Sequence, residues 1–97
     1  MTTVLIVDDQ AMVRAGFAAI LGSHEDITIV GQAGDGVEGV ALARELRPDV
    51  VLMDVRMPNL NGIDATTEIL ATAKRDNRPA PAVLILTTFD ADEYVHN

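Results

Sequence analysis

The sequence predicts an α/β fold, a doubly wound and mostly parallel sheet covered by helices. Short apolar runs alternate four times with segments of helical periodicity, an order that builds βα units with right-handed crossovers. The runs are continuously apolar, the pattern of strands buried on both faces. At 97 residues the chain suffices for one domain and not comfortably for two.

The first strand is TTVLIV, Thr2 to Val7, a compact β-branched run that meets Asp8-Asp9-Gln10. Val13, Phe17, Ile20 and Leu21 then recur at helical spacing. A helix is therefore expected from about Gln10 to Leu21, with Asp9 near its amino end, Arg14 outside the apolar stripe, and Gly22-Ser23 as its stop. ITIVGQA, Ile27 to Ala33, reads as the second strand, weakened by Gly31. After the turn Gly34-Asp35-Gly36, Asp35 and Glu38 have capping-box spacing. The helix they open should reach about Leu46 with Val37, Val40, Ala41 and Leu46 inward, Gly39 as a weak point, and Pro48 as the terminator.

The stretch DVVLMDVRMPNLNG, from Asp49 to Gly62, is the one around which the chain is organised. Its apolar run is a third strand that delivers Asp54 to a carboxyl-terminal edge, where ligands of open α/β sheets bind. Pro58 stiffens the following loop and Gly62 permits the turn into a third helix, whose apolar face is Ile63, Thr66, Ile69, Leu70 and Ala73. A polar, proline-rich connection, KRDNRPAPA, precedes a fourth strand from Val83 to Leu86, which ends at Thr87-Thr88. Asp90 and Glu93 repeat the capping-box spacing before Tyr94 and Val95, where a fourth helix is expected to begin.

Hydrophobic residues make up 48% of the chain, and with one tyrosine, two phenylalanines and no tryptophan the core must be aliphatic. The formal charge of -8 opposes electrostatic attraction to nucleic acid or an anionic membrane, and it suits cation binding wherever the acids converge. Without cysteine, disulfides and thiolate chemistry are excluded. No secretory signal or transmembrane segment is evident, so the expected location is the cytoplasm. His24 and His96 share no ligand pattern and are expected on the surface; Met12, Met53 and Met57 are expected in packing or loops.

Chemistry is expected where the strands end. Asp8-Asp9 closes the first strand, Asp54 the third and Thr87 the fourth, and in a parallel sheet these positions share one rim. Magnesium favours such hard oxygen ligands, commonly one or two carboxylates completed by water and phosphate. An aspartate can act as a nucleophile and form an acyl phosphate. Asp54 is the candidate, its carboxylate expected to face solvent. Asp9 is the expected direct metal ligand, with Asp8 acting through water or local charge; the Arg56 carbonyl would supply a further oxygen, and Thr87 a hydrogen bond to a phosphoryl oxygen.

VLIVDDQ, VLMDVRMPNLNG and LILTTFD together resemble the receiver domain of a two-component response regulator. The resemblance implies a flavodoxin-like receiver fold of strand order 2-1-3-4-5. It implies magnesium-dependent phosphorylation of Asp54 by a sensor histidine kinase or a small phosphodonor, with Asp8 and Asp9 as the acidic pair, Arg56 as a backbone metal contact and Thr87 as the switch hydroxyl. DDQAMVRAGF, GQAGDGVEGV and TTFDADEYV are similar to the subfamily whose regulators carry a carboxyl-terminal LuxR-type helix-turn-helix domain, which implies transcriptional control by the parent protein and no direct nucleic-acid binding by residues 1–97.

The family pattern continues beyond Asn97, so residues 1–97 are expected to be a C-terminally incomplete receiver domain without the fifth strand, its lysine and its aromatic switch residue. An exposed fourth strand would then invite self-association; metal affinity is expected to be retained, and modification and switching impaired. Two other classes compete with the phosphoacceptor. One is a non-switching interaction fragment, whose partner binding would ignore a phosphodonor. The other is an aspartate-nucleophile phosphatase resembling the haloacid dehalogenases, which would need an intervening residue that Asp8-Asp9 lacks.

Overall fold

The computed structural model describes residues 1–86. In order these form β1 (Thr2–Val7), α1 (Ala11–Gly22), β2 (Ile27–Ala33), α2 (Gly36–Leu46), β3 (Val50–Asp54), α3 (Gly62–Arg75) and β4 (Ala82–Leu86). All strand pairs are parallel, in the order β2-β1-β3-β4, the first four positions of the expected 2-1-3-4-5. The expected fourth helix, with Thr87, Asp90, Glu93 and His96, lies outside the described residues.

Alternation along the strands divides the core. Leu5, Val7, Val51 and Met53 point to one side, where Ala43 of α2 and Ala65 and Ile69 of α3 cover them. Val4, Ile6 and Leu52 point to the other, against Phe17, Ala18 and Leu21 of α1. The largest fully buried side chains, Leu5, Ile6, Val7, Val51 and Met53, all belong to β1 and β3. At roughly 1.5–3 kcal/mol each on burial, these five are worth about as much as the 5–15 kcal/mol by which a whole domain is stable. The β1–β3 pair is therefore the part of the sheet that the fold cannot lose. Its lower end is clasped by Asp49, whose Oδ2 accepts from the Thr3 amide (2.9 Å) and hydroxyl (3.1 Å). The Asp49 amide in turn donates to the Thr3 carbonyl at 3.0 Å.

Burial on both faces holds for β1 and β3 only. β2 is mostly half-buried, and on β4 Leu84 is 55% and Ile85 42% exposed, because each lies at a sheet edge among the described residues. Three helical faces also differ from expectation. Ile20 of α1 is exposed while Arg14 turns partly inward; on α2, Val37 and Ala41 are exposed and Leu46, itself exposed, lays its Cδ1 over Gly31; on α3, Ile63 and Leu70 are exposed and Ala65, Ile69, Thr72 and Ala73 are buried. The cause is clearest on α2. Its inner stripe is Gly36, Gly39 and Ala43, and a Cβ on Gly39 would stand 2.8 Å from Val7 Cγ1. Gly39 thus permits close helix-sheet approach, and the small residues, rather than the large ones, mark the inner face. The α2 terminator is Arg47, in a left-handed conformation (φ 50°) directly before the buried Pro48.

Candidate functional site

The parallel register carries β1 and β3 upward side by side, Val7 opposite Met53, so that the next residues, Asp8 and Asp54, emerge on the same rim. Asp8, Asp9 and Asp54 converge there, each offering a carboxylate oxygen within 4.8 Å of the others. Asp8 is fixed on three sides. Its amide donates to Ala33 of β2 (3.0 Å), its carbonyl accepts from Arg14 Nη1 (2.6 Å), and its Oδ1 accepts from the Gln10 amide (2.8 Å). Asp8 is 4% exposed, and Asp9 is open to solvent.

Asp54 corrects the sequence reading. Its residue is only 4% exposed, and its Oδ1 is buried without a hydrogen-bond partner. The strand tip is roofed by its own loop: the Gly62 amide donates back to Val55 at 2.8 Å, and α3 begins against the Asp54 backbone. Burial pushes the Asp54 carboxyl above the ordinary carboxylate range, and the charges of Asp8 and Asp9 push it further, against the opposing pull of the Arg56 and Val55 amides.

The donor set fits a small hard cation. Octahedral magnesium holds its oxygens at 2.0–2.1 Å, so ligands on opposite sides stand about 4.2 Å apart; three carboxylates already within 4.8 Å need little movement to share one ion. An unpaired buried carboxylate oxygen is costly by itself, and a cation satisfies it while relieving the repulsion of three acids. Beside the cluster an open groove of about 560 Å³ is lined by Asp9, Val55, Arg56, Met57, Asn61, Ile63 and Asp64. Arg56 and Asp9 thus line the same groove. Thr87 lies outside the described residues.

Two loop contacts hold the rim in place. Asp35 caps α2 through Oδ1 on the Glu38 amide (2.8 Å), and its Oδ2 accepts from Asn59 Nδ2 at 3.0 Å, tying the loop after β3 to the start of α2. Gly36 sits directly against the Leu60 carbonyl, where a Cβ would overlap it. Asn61 caps α3 by accepting from the Asp64 amide (2.9 Å). Sequence reasoning missed Arg14, Gly36 and Asn59. Arg14 had a legible signal, a cation in the first helical turn after an acidic pair; the other two depend on loops brought together by the fold.

The family model for the response regulator receiver domain matches residues 4–97. The transcriptional regulatory protein LiaR of Bacillus subtilis is 45% identical over 96 residues, which are 99% of this chain and 43% of LiaR. Among solved structures, a LuxR-family DNA-binding response regulator from Staphylococcus aureus superposes with a TM-score of 0.77 at 30% identity, over 99% of this chain and 76% of that one. The CheX-CheY-BeF3-Mg complex of Borrelia burgdorferi superposes with a TM-score of 0.79 at 27% identity, over 98% of this chain and 68% of that one. The chain spans less than half the length of curated relatives such as LiaR. No helix among the described residues is long and apolar enough to cross a membrane. With its βα order, its strand order and its acidic rim, this chain belongs to the family of response regulator receiver domains.

Proposed function

We propose that residues 1–97 act as a phosphoacceptor domain, receiving a phosphoryl group on Asp54 from a sensor histidine kinase or a small phosphodonor, and that the parent protein controls transcription. The observation that carries the reading is the buried, unpartnered Oδ1 of Asp54 within reach of two further carboxylates. The loop amides of Arg56 and Val55 act on the Asp54 carboxylate, yet its Oδ1 is left without a partner. Its oxygen attacks phosphorus in line, the bond from phosphorus to the donor breaks, and the donor leaves with the electron pair. Asp8, Asp9, Asp54 and the Arg56 carbonyl would hold magnesium, which supplies charge neutralisation at the phosphoryl oxygens. The similar Borrelia assembly contains BeF3 and magnesium, in keeping with this ligand chemistry.

The chain's own residues do the positioning. Asp8 is held by its three bonds, Asp54 is held by β3 and roofed by Gly62, and the groove beside Asp9 and Arg56 gives a donor its approach. Thr87 would hydrogen-bond a phosphoryl oxygen. The product is a modified protein rather than released phosphate, so the domain is a switch and not a turnover enzyme. A cytoplasmic location is part of this proposal. Among the described residues β4 lies at the sheet edge with Leu84 and Ile85 exposed, and pairing of a second copy there is part of the proposal; sedimentation showing only monomer would refute that part.

Intact-protein mass spectrometry with magnesium and acetyl phosphate or phosphoramidate tests the proposal. The expected result is a gain of one phosphoryl group that needs magnesium and disappears in Asp54→Asn. A folded, magnesium-bound chain that gains nothing would favour the interaction-fragment reading, and sustained hydrolysis of phosphate esters would favour the phosphatase.

A further inference from the structure

We infer that Arg14 is a positioning residue for the acidic cluster, and that it tightens cation binding although it is itself a cation. The inference rests on the proposed metal site and goes beyond it in assigning a role to a residue that would touch neither metal nor phosphoryl group. Arg14 lies in the first turns of α1, partly buried, and its Nη1 donates to the backbone carbonyl of Asp8 at 2.6 Å. The same nitrogen stands 3.6 Å from the place a Cβ would occupy on Gly34, so the guanidinium is wedged between the tip of β1 and the turn that leads into α2.

Asp8 is where the chain leaves the sheet, and the direction of its peptide decides where both carboxylates of the pair go. β2 fixes the amide side of that residue through Ala33, and Arg14 fixes the carbonyl side. With both held, the Asp8 carboxylate accepts from the Gln10 amide through Oδ1 and still offers an oxygen to the cluster. Without Arg14 the peptide joining Asp8 to Asp9 can rotate, and Asp9, solvent-exposed, would swing with it.

Charge and geometry make opposite predictions. A cation beside three carboxylates repels an incoming cation, so on charge alone removing Arg14 would tighten magnesium binding. Partners that orient metal ligands behave in the other way, and their loss typically weakens binding by roughly 10–100-fold. The 2.6 Å contact to the backbone of a ligand residue, rather than to its carboxylate, favours geometry: Arg14 leaves the charge of the cluster available and fixes its shape.

The test is a magnesium titration by calorimetry at constant ionic strength on the wild-type chain, Arg14→Ala, Arg14→Gln and Arg14→Lys. Thermal unfolding of each is followed with and without the ion. Arg14→Ala and Arg14→Gln should bind magnesium about 10-fold more weakly, and Arg14→Lys should recover part of the loss, since its ammonium can still donate to the carbonyl. A role in stability alone would lower the metal-free melting temperature and leave the affinity of the folded protein unchanged, and that result overturns the inference. So does equal or tighter binding by a folded Arg14→Gln or Arg14→Ala; if Arg14→Ala does not fold, Arg14→Gln and Arg14→Lys decide. A wild-type chain that binds no magnesium would instead overturn the metal site on which the inference stands.

Discussion

Replacing Gly62 by alanine isolates the contact that roofs the acceptor. An ideal Cβ at this position would overlap the carbonyl oxygen of Asp54 and press on the Cα of Val55, 2.9 Å away. Carbon and carbonyl oxygen ordinarily approach to about 3.3–3.6 Å, so the start of α3 would have to withdraw by roughly 1.5 Å. Overpacking of this kind costs about 1–3 kcal/mol. The 2.8 Å bond from the Gly62 amide to Val55 would stretch with it, at a cost of about 1 kcal/mol. Alanine's advantage over glycine in a helix offsets about 1 kcal/mol, leaving a net loss of about 1–3 kcal/mol. Urea unfolding should show a midpoint lower by roughly 1 M at the slopes usual for small domains, and magnesium affinity should fall because Asp54 is displaced. No glycine among the described residues has a positive φ, so a merely conformational role would make alanine neutral or stabilising. An unchanged or raised midpoint with unchanged magnesium affinity would refute the steric account.

Other outcomes follow from the same geometry. Because the folded state raises the Asp54 carboxyl above its ordinary range, it binds that proton more tightly than the unfolded chain does. Metal-free stability should therefore fall as pH rises through the window between the ordinary and the raised value. Asp54→Asn should be more stable than wild type above that window and lose its advantage below it; equal unfolding midpoints near neutrality would contradict this. Asp35 is the reverse case, held below its ordinary range by the Glu38 amide first and the Asn59 amide second. Asp35→Ala should lower the melting temperature near neutrality and have a shrinking effect as pH falls through the lowered value, where the wild type loses the same stabilisation. In α3, Ile69→Ala should cost about 2–5 kcal/mol and Ile63→Ala within about 0.5 kcal/mol, since the first is 3% and the second 57% exposed; similar costs in denaturant unfolding would mean that the helix presents a different face.

What could be read from the sequence was whatever depends on period and punctuation. Four strands and three helices fall within a residue or two of their expected bounds because apolar runs, Gly22, the Asp35 cap and Pro48 are local signals. The convergence of Asp8, Asp9 and Asp54 was legible for a related reason, since strand ends in a parallel sheet are brought together by topology alone. Helix faces were harder. Counting apolar residues selected Val37, Val40, Ala41 and Leu46 on α2, of which Val40 does pack against the core, whereas a helix pressed close to a sheet turns its smallest residues inward, here Gly36, Gly39 and Ala43. The burial of Asp54 was illegible because it depends on the return of α3 onto β3, a contact between backbones that no side-chain pattern announces.

The Asp49 clasp at the foot of β1 and β3 has a consequence for how the molecule opens. These two strands are fastened below by Thr3 and Asp49 and carry between them the five most deeply buried large side chains, whereas β2 and β4 each have one strand neighbour among the described residues. In native-state hydrogen exchange the outer strands should open by local fluctuation, and the amides of β1 and β3 only when the whole chain unfolds. Asp8 and Asp54 are the residues next to, or last within, those two strands. Fraying at the β4 margin would leave the carboxylates facing one another, whereas opening of β2 would release the Asp8 amide from Ala33, so the capacity to hold a cation should outlast the loss of the first margin and weaken with the second.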